Sequence, residues 1–343
     1  MGDYEEVSDL RTSFGDETAE QRKQAIMSDL MQIKGVGKSQ AEKLYNAQIY
    51  SCLQIAGMPI PQLMDKTGFN KKASETLVAN AKPLCDIGDV LSADSIYSTE
   101  VDRIALTTGS KDFDNLLGGG YPAKLITEIH AENGMGKTQA AFTASVMCTR
   151  PMEEGGMDGH VVYIDTEGTF NAHRVAQIAE ARGYQAIETL SKIHVARVMT
   201  SSQQVLILDK INEMATEFPI KLLVVDSVMA RFRSDFAGGR QNLPERQGML
   251  NQHLSDLLSF ANRYNAVILI TNQMSASPDA GAFFDPMIPV GGNILGHASA
   301  IRVRIRRGKA GARIIKLVKS NTRPSGESIA TISEKGIGDK GAE

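Results

Sequence analysis

Tryptophan is absent from this chain, and aromatic residues make up only 6% of it. A surface that stacks many bases on aromatic rings is therefore not expected. Cysteine is scarce as well: Cys52, Cys85 and Cys148 are an odd number, isolated and without Cys-x-x-Cys spacing. That pattern argues against a disulfide framework or a zinc site and for a reducing compartment. No apolar run is long enough to span a bilayer, and the acidic N-terminal segment does not read as a signal peptide. A cytoplasmic location without a membrane partner is the expectation. A large charge imbalance is missing too. The formal net charge is −3 over 343 residues, which by itself points neither to nucleic acid nor to acidic substrates. No internal repeat is visible.

The composition that remains, 42% hydrophobic and 22% charged, is that of a globular protein too long for one ordinary domain. The distribution of charge says more than its total. Residues 1–20 hold seven acids and one arginine and read as a solvated tail. Ile301 to Pro324 holds nine Lys or Arg and no acid. This is either an electrostatic footprint for nucleic acid or the charged outer face of a strand pair. Residues 21–82 carry apolar positions at helical spacing (Ile26, Leu30, Ile33, then Ala41, Leu44, Ile49, Leu53) and no β-rich run. Within them, Gly35 and Gly37 bracket Val36 in IKGVGKSQAEKL, a pattern resembling a helix-hairpin-helix. Such a turn presents backbone N–H groups to a DNA phosphate, with Lys34 and Lys38 on its flanks. A glycine turn inside a small helical bundle is the plainer alternative. Residues 83–104, with Pro83, Gly88 and three serines, read as a linker.

Beyond the linker, over 105–338, the pattern changes to apolar β-rich runs alternating with helical ones: LITEIH, VVYIDTE, KLLVVDS and AVILITNQ. This predicts an α/β domain with a mainly parallel sheet buried on both faces. The runs IRVRIRR and ARIIKLV, joined by Gly308 to Gly311, read as an antiparallel hairpin at the sheet edge. Two long polar connections, Phe232 to Gln247 and Ser275 to His297, are expected to be functional loops. The pair Phe283 and Phe284 either wedges between bases or anchors the second loop. Residues 339–343 read as a short tail.

The chemistry gathers on AENGMGKTQ, Ala131 to Gln139. It matches the phosphate-binding pattern G-x-x-x-x-G-K-[ST], except that Ala131 stands where the first glycine belongs. Asn133, Gly134, Met135 and Gly136 form the loop. Gly136 lets the backbone approach a polyphosphate, Lys137 reaches the β- and γ-phosphates, Thr138 holds Mg²⁺, and Gln139 opens the following helix. A nucleoside triphosphate, ATP in the first instance, is implied as ligand. KLLVVDS ends in Asp226, placed to hold a Mg²⁺-bound water. VVYIDTE puts Glu167 just past another strand end, where a carboxylate can activate the attacking water. AVILITNQ ends in Asn272 and Gln273, amides able to sense the γ-phosphate and relay it to the loop that follows. Parallel strands bring these tips to one sheet edge, where α/β folds bind ligands.

In order along the chain, TTGSKDFDNLLGGG, GKTQ, YIDTEGTF, VVDSVMARFRSDF, LPERQ, TNQ and GGNILGHAS resemble the RecA-type recombinases of the archaeal RadA and eukaryotic branch. The likeness covers residues 21 to 338, helix-hairpin-helix domain included. It implies a RecA-like P-loop ATPase core that forms helical filaments (or rings) on single-stranded DNA. It further implies pairing with homologous double-stranded DNA, strand exchange and a nucleoid-associated location, with loader or mediator proteins as further partners. Carried over residue by residue, Lys137 and Thr138 bind phosphate and Mg²⁺, Glu167 is the catalytic glutamate, and Asp226 is the Walker B acid. Gln273 is the γ-phosphate sensor, and Arg174 stacks on adenine. The two long connections become DNA-binding loops, with Arg233, Arg240 and Arg246 on the first and Gly291, Gly292 and Asn293 on the second.

Several positions depart from the family pattern. Ala131 adds a methyl group in a turn that often needs a left-handed residue. Val90, Leu91, Ser92 and Ala93 stand where the family's F-x-x-A docks on the next subunit, and the receiving segment Ile193 to Met199, around Ala196, lacks the usual aromatics. The first DNA loop is rearranged around Gly238 to Gln241. Lys319 replaces an acid in KSNTRPSGES, the segment with Pro324 that caps ATP across the subunit interface, and implies little need for a bound monovalent cation. An assisting paralogue that binds ATP and DNA without strand exchange is one alternative, and a RecA-fold hexameric helicase another.

Overall fold

The structure is a computed structural model that describes residues 19–85, 92–94, 104–236, 243–276 and 287–341. The chain divides into two compact units, Met1–Tyr97 and Ser98–Glu343. The reading of an acidic tail falls almost wholly outside the described residues, as do those made on Val90, Arg240, Phe283 and Phe284.

The first unit is helical among the described residues: α1 (Ala19–Met31), α2 (Lys38–Asn46), α3 (Cys52–Gly57), α4 (Ile60–Thr67) and α5 (Lys71–Ala81). Leu30, Ile33, Leu44, Ile49, Ile55, Leu63 and Ala81 bury completely or nearly so to make its core. Between α1 and α2, Gly35 takes φ +91°, a conformation that favours glycine. Val36, between the two glycines, drops into the core, while Lys34 and Lys38 stay exposed. The Asn80 amide donates to Lys34 O at 2.7 Å and ties the turn to α5.

The second unit opens with β1 (Ala105–Leu106), α6 (Lys111–Leu117) and β2 (Tyr121–Pro122). The sheet proper follows: β3 (Ile126–Ala131), α7 (Lys137–Cys148), β4 (His160–Asp165), α8 (Ala172–Ala181), α9 (Ala186–Ser191) and β5 (Ile193–Arg197). Next come α10 (Ser201–Glu217), β6 (Ile220–Asp226), α11 (Ala230–Asp235), α12 (Leu243–Tyr264), β7 (Val267–Ala276) and β8 (Met287–Pro289). The unit ends with α13 (Gly292–Ala298), β9 (Ile301–Arg307), β10 (Arg313–Lys319), β11 (Gly326–Ser333) and β12 (Gly336–Asp339). The strand order is β12-β11-β10-β9-β3-β7-β6-β4-β5, with β8 paired to β7. Strands β9, β3, β7, β6, β4 and β5 run parallel. The α/β class and the mainly parallel sheet are those expected, and the apolar runs show why. Along β6, Leu222 and Val224 enter the core on one face, while Leu223 and Val225 enter the core on the other, so an uninterrupted apolar run satisfies both faces.

Three expectations need correcting. The hairpin of β9 and β10 forms, but it is not the edge, because β11 and β12 extend the sheet beyond it. Strand β12, four residues with two glycines, carries little β signal of its own, and β11 alternates apolar with small polar residues and is not a continuous apolar run. The first long connection is helical on both sides: Phe232 is fully buried, Arg233 lies in α11 and Arg246 in α12. The second is paired at its root, where Met274 to Ala276 match Pro289 to Met287 antiparallel, and it ends in α13.

The basic block is largely committed within the fold. Arg302 forms an ion pair with the fully buried Glu128, Nε to Oε2 at 2.5 Å, and Arg306 pairs with Glu327 at 3.1 Å. A buried carboxylate needs such a partner. Asn272, read as a phosphate-sensing amide, is buried instead and donates to Glu128 at 2.8 Å and to Val290 O at 2.7 Å, so it pins the root of the second loop.

Two histidines, His130 and His253, are buried. Burial, and then the charges of Arg302, Arg304 and Lys137, push His130 down to about 3. Burial alone pushes His253 down to about 4. His160 and His194 stack 5.3 Å apart and are lowered as well, mainly by burial. An unfolded imidazole titrates near pH ~6.5, so below that value the unfolded chain takes up protons that the folded chain refuses. For the buried His130 and His253 this contribution is complete above pH ~6.5 and falls on acidification, by about 1.4 kcal/mol per pH unit for each of the two, until its folded value is reached. Urea midpoints measured downward from pH ~6.5 should drop steadily, and His253→Leu should flatten part of the slope.

Candidate nucleotide-binding site

Register brings the functional side chains together. Ala131 is paired with Gln273 across β3 and β7, and Asp165 with Asp226 across β4 and β6. The C-terminal tips of four parallel strands therefore lie in one row at the foot of α7, whose N-terminus carries the partial positive charge that suits a phosphate.

Ala131 is the last residue of β3, fully buried, and is not among the non-glycine residues with positive φ. Its methyl group meets no backbone conflict. The left-handed positions of this loop are Gly134 (φ +73°) and Gly136 (φ +109°). At Gly136 a Cβ would press on the tip of Ile332 from β11, which would have to rotate away, and the positive φ is what demands glycine. From β10, Arg313 donates to Met135 O at 2.9 Å and fixes the loop's crest.

Lys137 Nζ donates to Ala131 O and Glu132 O, both at 3.0 Å. Burial lowers its pKa, while Asp226 and Glu167 act in the opposite sense. An ammonium resting on two carbonyls, with two carboxylates nearby, is free to take a stronger anionic partner. Thr138 Oγ1 donates to Asp226 Oδ2 at 2.8 Å. The same oxygen accepts from Tyr163 OH at 2.6 Å, and Thr271 donates to the other one. A hydroxyl and a carboxylate facing each other beside a phosphate loop are a hard-oxygen pair suited to Mg²⁺. No cluster of three or more His, Cys, Asp or Glu that could hold a metal by itself occurs among the described residues, as fits an ion held largely by phosphate and water.

Glu167 is presented by a loop that Asp165 shapes. The Asp165 carboxylate accepts from the backbone N–H groups of Glu167, Gly168, Thr169 and Phe170 at 2.8 to 3.2 Å. Glu167 Oε1 then accepts from Ser227 Oγ at 2.6 Å and Gln273 Nε2 at 2.9 Å. Gln273 in turn accepts from Arg233 Nη1 at 3.3 Å. Asp165, Tyr163, Ser227, Thr271 and Arg313 were all missed by sequence reading. Only Asp165, as an acid inside a strand end followed by Thr-Glu-Gly, left a sequence signal.

Arg174, on α8, meets Gln139 Oε1 at 2.9 Å and the carbonyls of Ser333 and Glu334 at 2.5 and 3.1 Å. It is thus held flat against the β11–β12 turn beside the loop. Lys319 Nζ reaches the carbonyls of Gly296, His297 and Ser299 at 2.8, 3.4 and 2.9 Å, so a fixed cation caps the negative end of α13. Pro324 is exposed between β10 and β11. Gly291 (φ +99°) and Gly292 (φ +60°) turn the chain into α13, where Asn293 is exposed. Ala93 is exposed, and Ala196 is half-buried on β5. Gly35 and Gly37 lie in the first unit.

A phosphate loop between the first sheet strand and its helix, with acids and an amide on the adjacent parallel tips, defines a P-loop ATPase core of RecA-like architecture. A family model described as Rad51 matches residues 100–340, and the chain belongs to the Rad51 family of RecA-type recombinases. Proteins of this family are ATPases that use ATP with Mg²⁺, bind DNA and assemble into oligomeric filaments. No described helix is long and apolar enough to cross a membrane.

Because Ala131 sits in ordinary strand geometry, Ala131→Gly should leave ATP affinity nearly unchanged. Gly136→Ala, strained in φ and pressed by Ile332, should abolish binding. Titration with a fluorescent ATP analogue in Mg²⁺ distinguishes the two.

Proposed function

We propose that the chain is an ATP-dependent strand-exchange recombinase, a divergent member of the RadA-like branch. In this reading it coats single-stranded DNA as a filament, pairs it with homologous duplex and exchanges strands in recombinational repair. The observation that carries this reading is the hydrogen-bonded series Ser227–Glu167–Gln273–Arg233. It runs from the acid beside the phosphate loop to an arginine on the first of the two connections expected to contact DNA.

In this reading Asn133 to Gln139 cradle the polyphosphate, Lys137 holds the β- and γ-phosphates, and Arg174 stacks on adenine with Pro324 of the neighbouring subunit opposite. Thr138 and Asp226 hold Mg²⁺, which when bound neutralises charge on the phosphate oxygens. Glu167 orients and deprotonates the attacking water. Gln273, by leaving Glu167 for the γ-phosphate, frees a carboxylate lone pair for that water and pulls on β7, whose end is the root of the second connection. Arg233, Arg240 and Arg246 contact DNA phosphates, and Gly291, Gly292 and Asn293 bring backbone N–H groups close to the strand. Gly35 and Gly37 offer theirs to duplex phosphate.

Oligomerisation uses β5. Among the described residues it pairs only with β4; Val195 on the strand is 40% exposed, and Met199, two residues past its end, is 64% exposed. An open apolar edge strand invites pairing with another chain, and the segment Val90 to Ala93 of a second subunit is the partner proposed for Ala196 and its neighbours. Of the two features that favour an assisting paralogue, Ala131 adopts an ordinary strand conformation and so speaks less for it, and Val90 lies outside the described residues.

Strand exchange between circular single-stranded and homologous linear DNA tests the reading, with images that separate filaments from the rings of a helicase. Lys137→Ala should abolish exchange. Glu167→Gln should slow hydrolysis by about 10²–10⁴-fold while leaving ATP binding intact. ATP binding without exchange would mark an assisting paralogue. Because Lys319 supplies a fixed ammonium near the subunit-facing segment, hydrolysis should change little when sodium replaces potassium; strong potassium activation would contradict that role.

A further inference from the structure

The fold brings together two of the three cysteines that look isolated in sequence. Cys52 opens α3, Cys85 follows the short 3₁₀ turn Lys82–Leu84 after α5, and both are half-buried free thiols. The Cys52 thiol points at Leu84 O, 3.5 Å away, the carbonyl immediately before Cys85. The Cys85 thiol points at Ala81 O, 3.2 Å away. Helix α3 packs on α5 and on this turn, so both backbones are held in place. Burial together with the neighbouring Cys52 thiol raises the Cys85 pKa. Cys148, by contrast, is fully buried in the second unit, and burial pushes its thiol far up.

We propose that Cys52 and Cys85 form a redox-active dithiol that closes to an intramolecular disulfide on reaction with a low-molecular-weight disulfide such as oxidised glutathione. Cys52 Sγ lies 3.5 Å from the carbonyl that precedes Cys85, which puts the two side chains within reach of each other by rotation about their side-chain bonds. Cys85, whose thiol is harder to ionise, is the poorer first nucleophile. The Cys52 thiolate therefore attacks one sulfur of the glutathione disulfide, forms a mixed disulfide and expels one glutathione thiolate. Cys85 then gives its proton to solvent and attacks the Cys52 sulfur, expelling the second glutathione. Two protein thiols are oxidised, one glutathione disulfide is reduced to two thiols, and the two protons lost by the protein balance those taken up by the products. The bond staples the turn after α5 onto α3, at the point where the chain leaves the helical unit toward Ala93 and the segment proposed for subunit docking.

The full chain, incubated with excess oxidised glutathione at mildly alkaline pH, then alkylated and digested, tests this by peptide mass spectrometry. The expected product is one linked peptide pair, Cys52 to Cys85, lighter by two hydrogen atoms, with Cys148 unreacted. Cys85→Ser should stop at glutathione on Cys52. Amide exchange at residues 82–85 should slow by about tenfold or more in the oxidised wild-type chain and not in Cys85→Ser. Separate glutathione adducts on both cysteines in the wild-type chain, links to Cys148 or to a second chain, no reaction, or a linked pair without slowed exchange would each overturn the proposal.

Discussion

The second unit is organised around one buried carboxylate. Asp226 lies at the tip of β6, 3% exposed, and accepts hydrogen bonds from Thr138 on α7, Tyr163 on β4 and Thr271 on β7. An anion taken out of water is tolerated only when donors surround it. Here the donors come from three separate elements, so satisfying the charge also sets the depth of α7 and the register of the two flanking strands. A one-residue slip of β4 or β7 would move Tyr163 or Thr271 to the opposite face of the sheet and strand the charge. The requirement that stabilises the core is therefore the same one that lines up the phosphate loop with the acids.

The second carboxylate of the site is held differently. Glu167 stands on a loop, steered by the four backbone N–H groups that Asp165 gathers, and its own oxygen is shared between Ser227 and Gln273. Asp226 belongs to the rigid sheet, whereas Glu167 depends on contacts that rotations of side chains can exchange. A site that must hold an ion and also respond to nucleotide state has reason to divide the tasks this way. The phosphate loop is braced from outside as well, by Arg313 on Met135 O and by Ile332 on Gly136.

What the sequence disclosed was governed by locality. The phosphate loop, the acids after apolar strands and the helical first unit show up because each is written within a dozen residues and has a period or a glycine pattern of its own. That Ala131 fits the loop rests on a dihedral angle, which no spacing reveals. Strand β12 escaped notice because it is four residues long and Gly336 and Gly338 dilute its β character, and β11 because it lacks the continuous apolar run of the central strands. Asp165 was overshadowed by the better-known acid two positions on. Phe232 was read into a polar loop because its burial depends on α10 and α12 and not on its neighbours. The meeting of Cys52 and Cys85 could not be seen at all, since three helices separate them in sequence.

Strand β11 and its hairpin partner have one more consequence, for the order in which the molecule matures. Ile332 closes on Gly136, the Ser333 and Glu334 carbonyls seat Arg174, the Ile337 amide donates to Thr143 on α7, and Asp339 caps the start of α6. All of these groups are translated long after the loop they complete. A nascent chain that has emerged as far as α13 already carries the residues that grip phosphate, but not the brace that shapes their pocket. The phosphate loop and the helices beside it are therefore completed by the last strands of the unit, and a chain ending before β11 would lack those contacts.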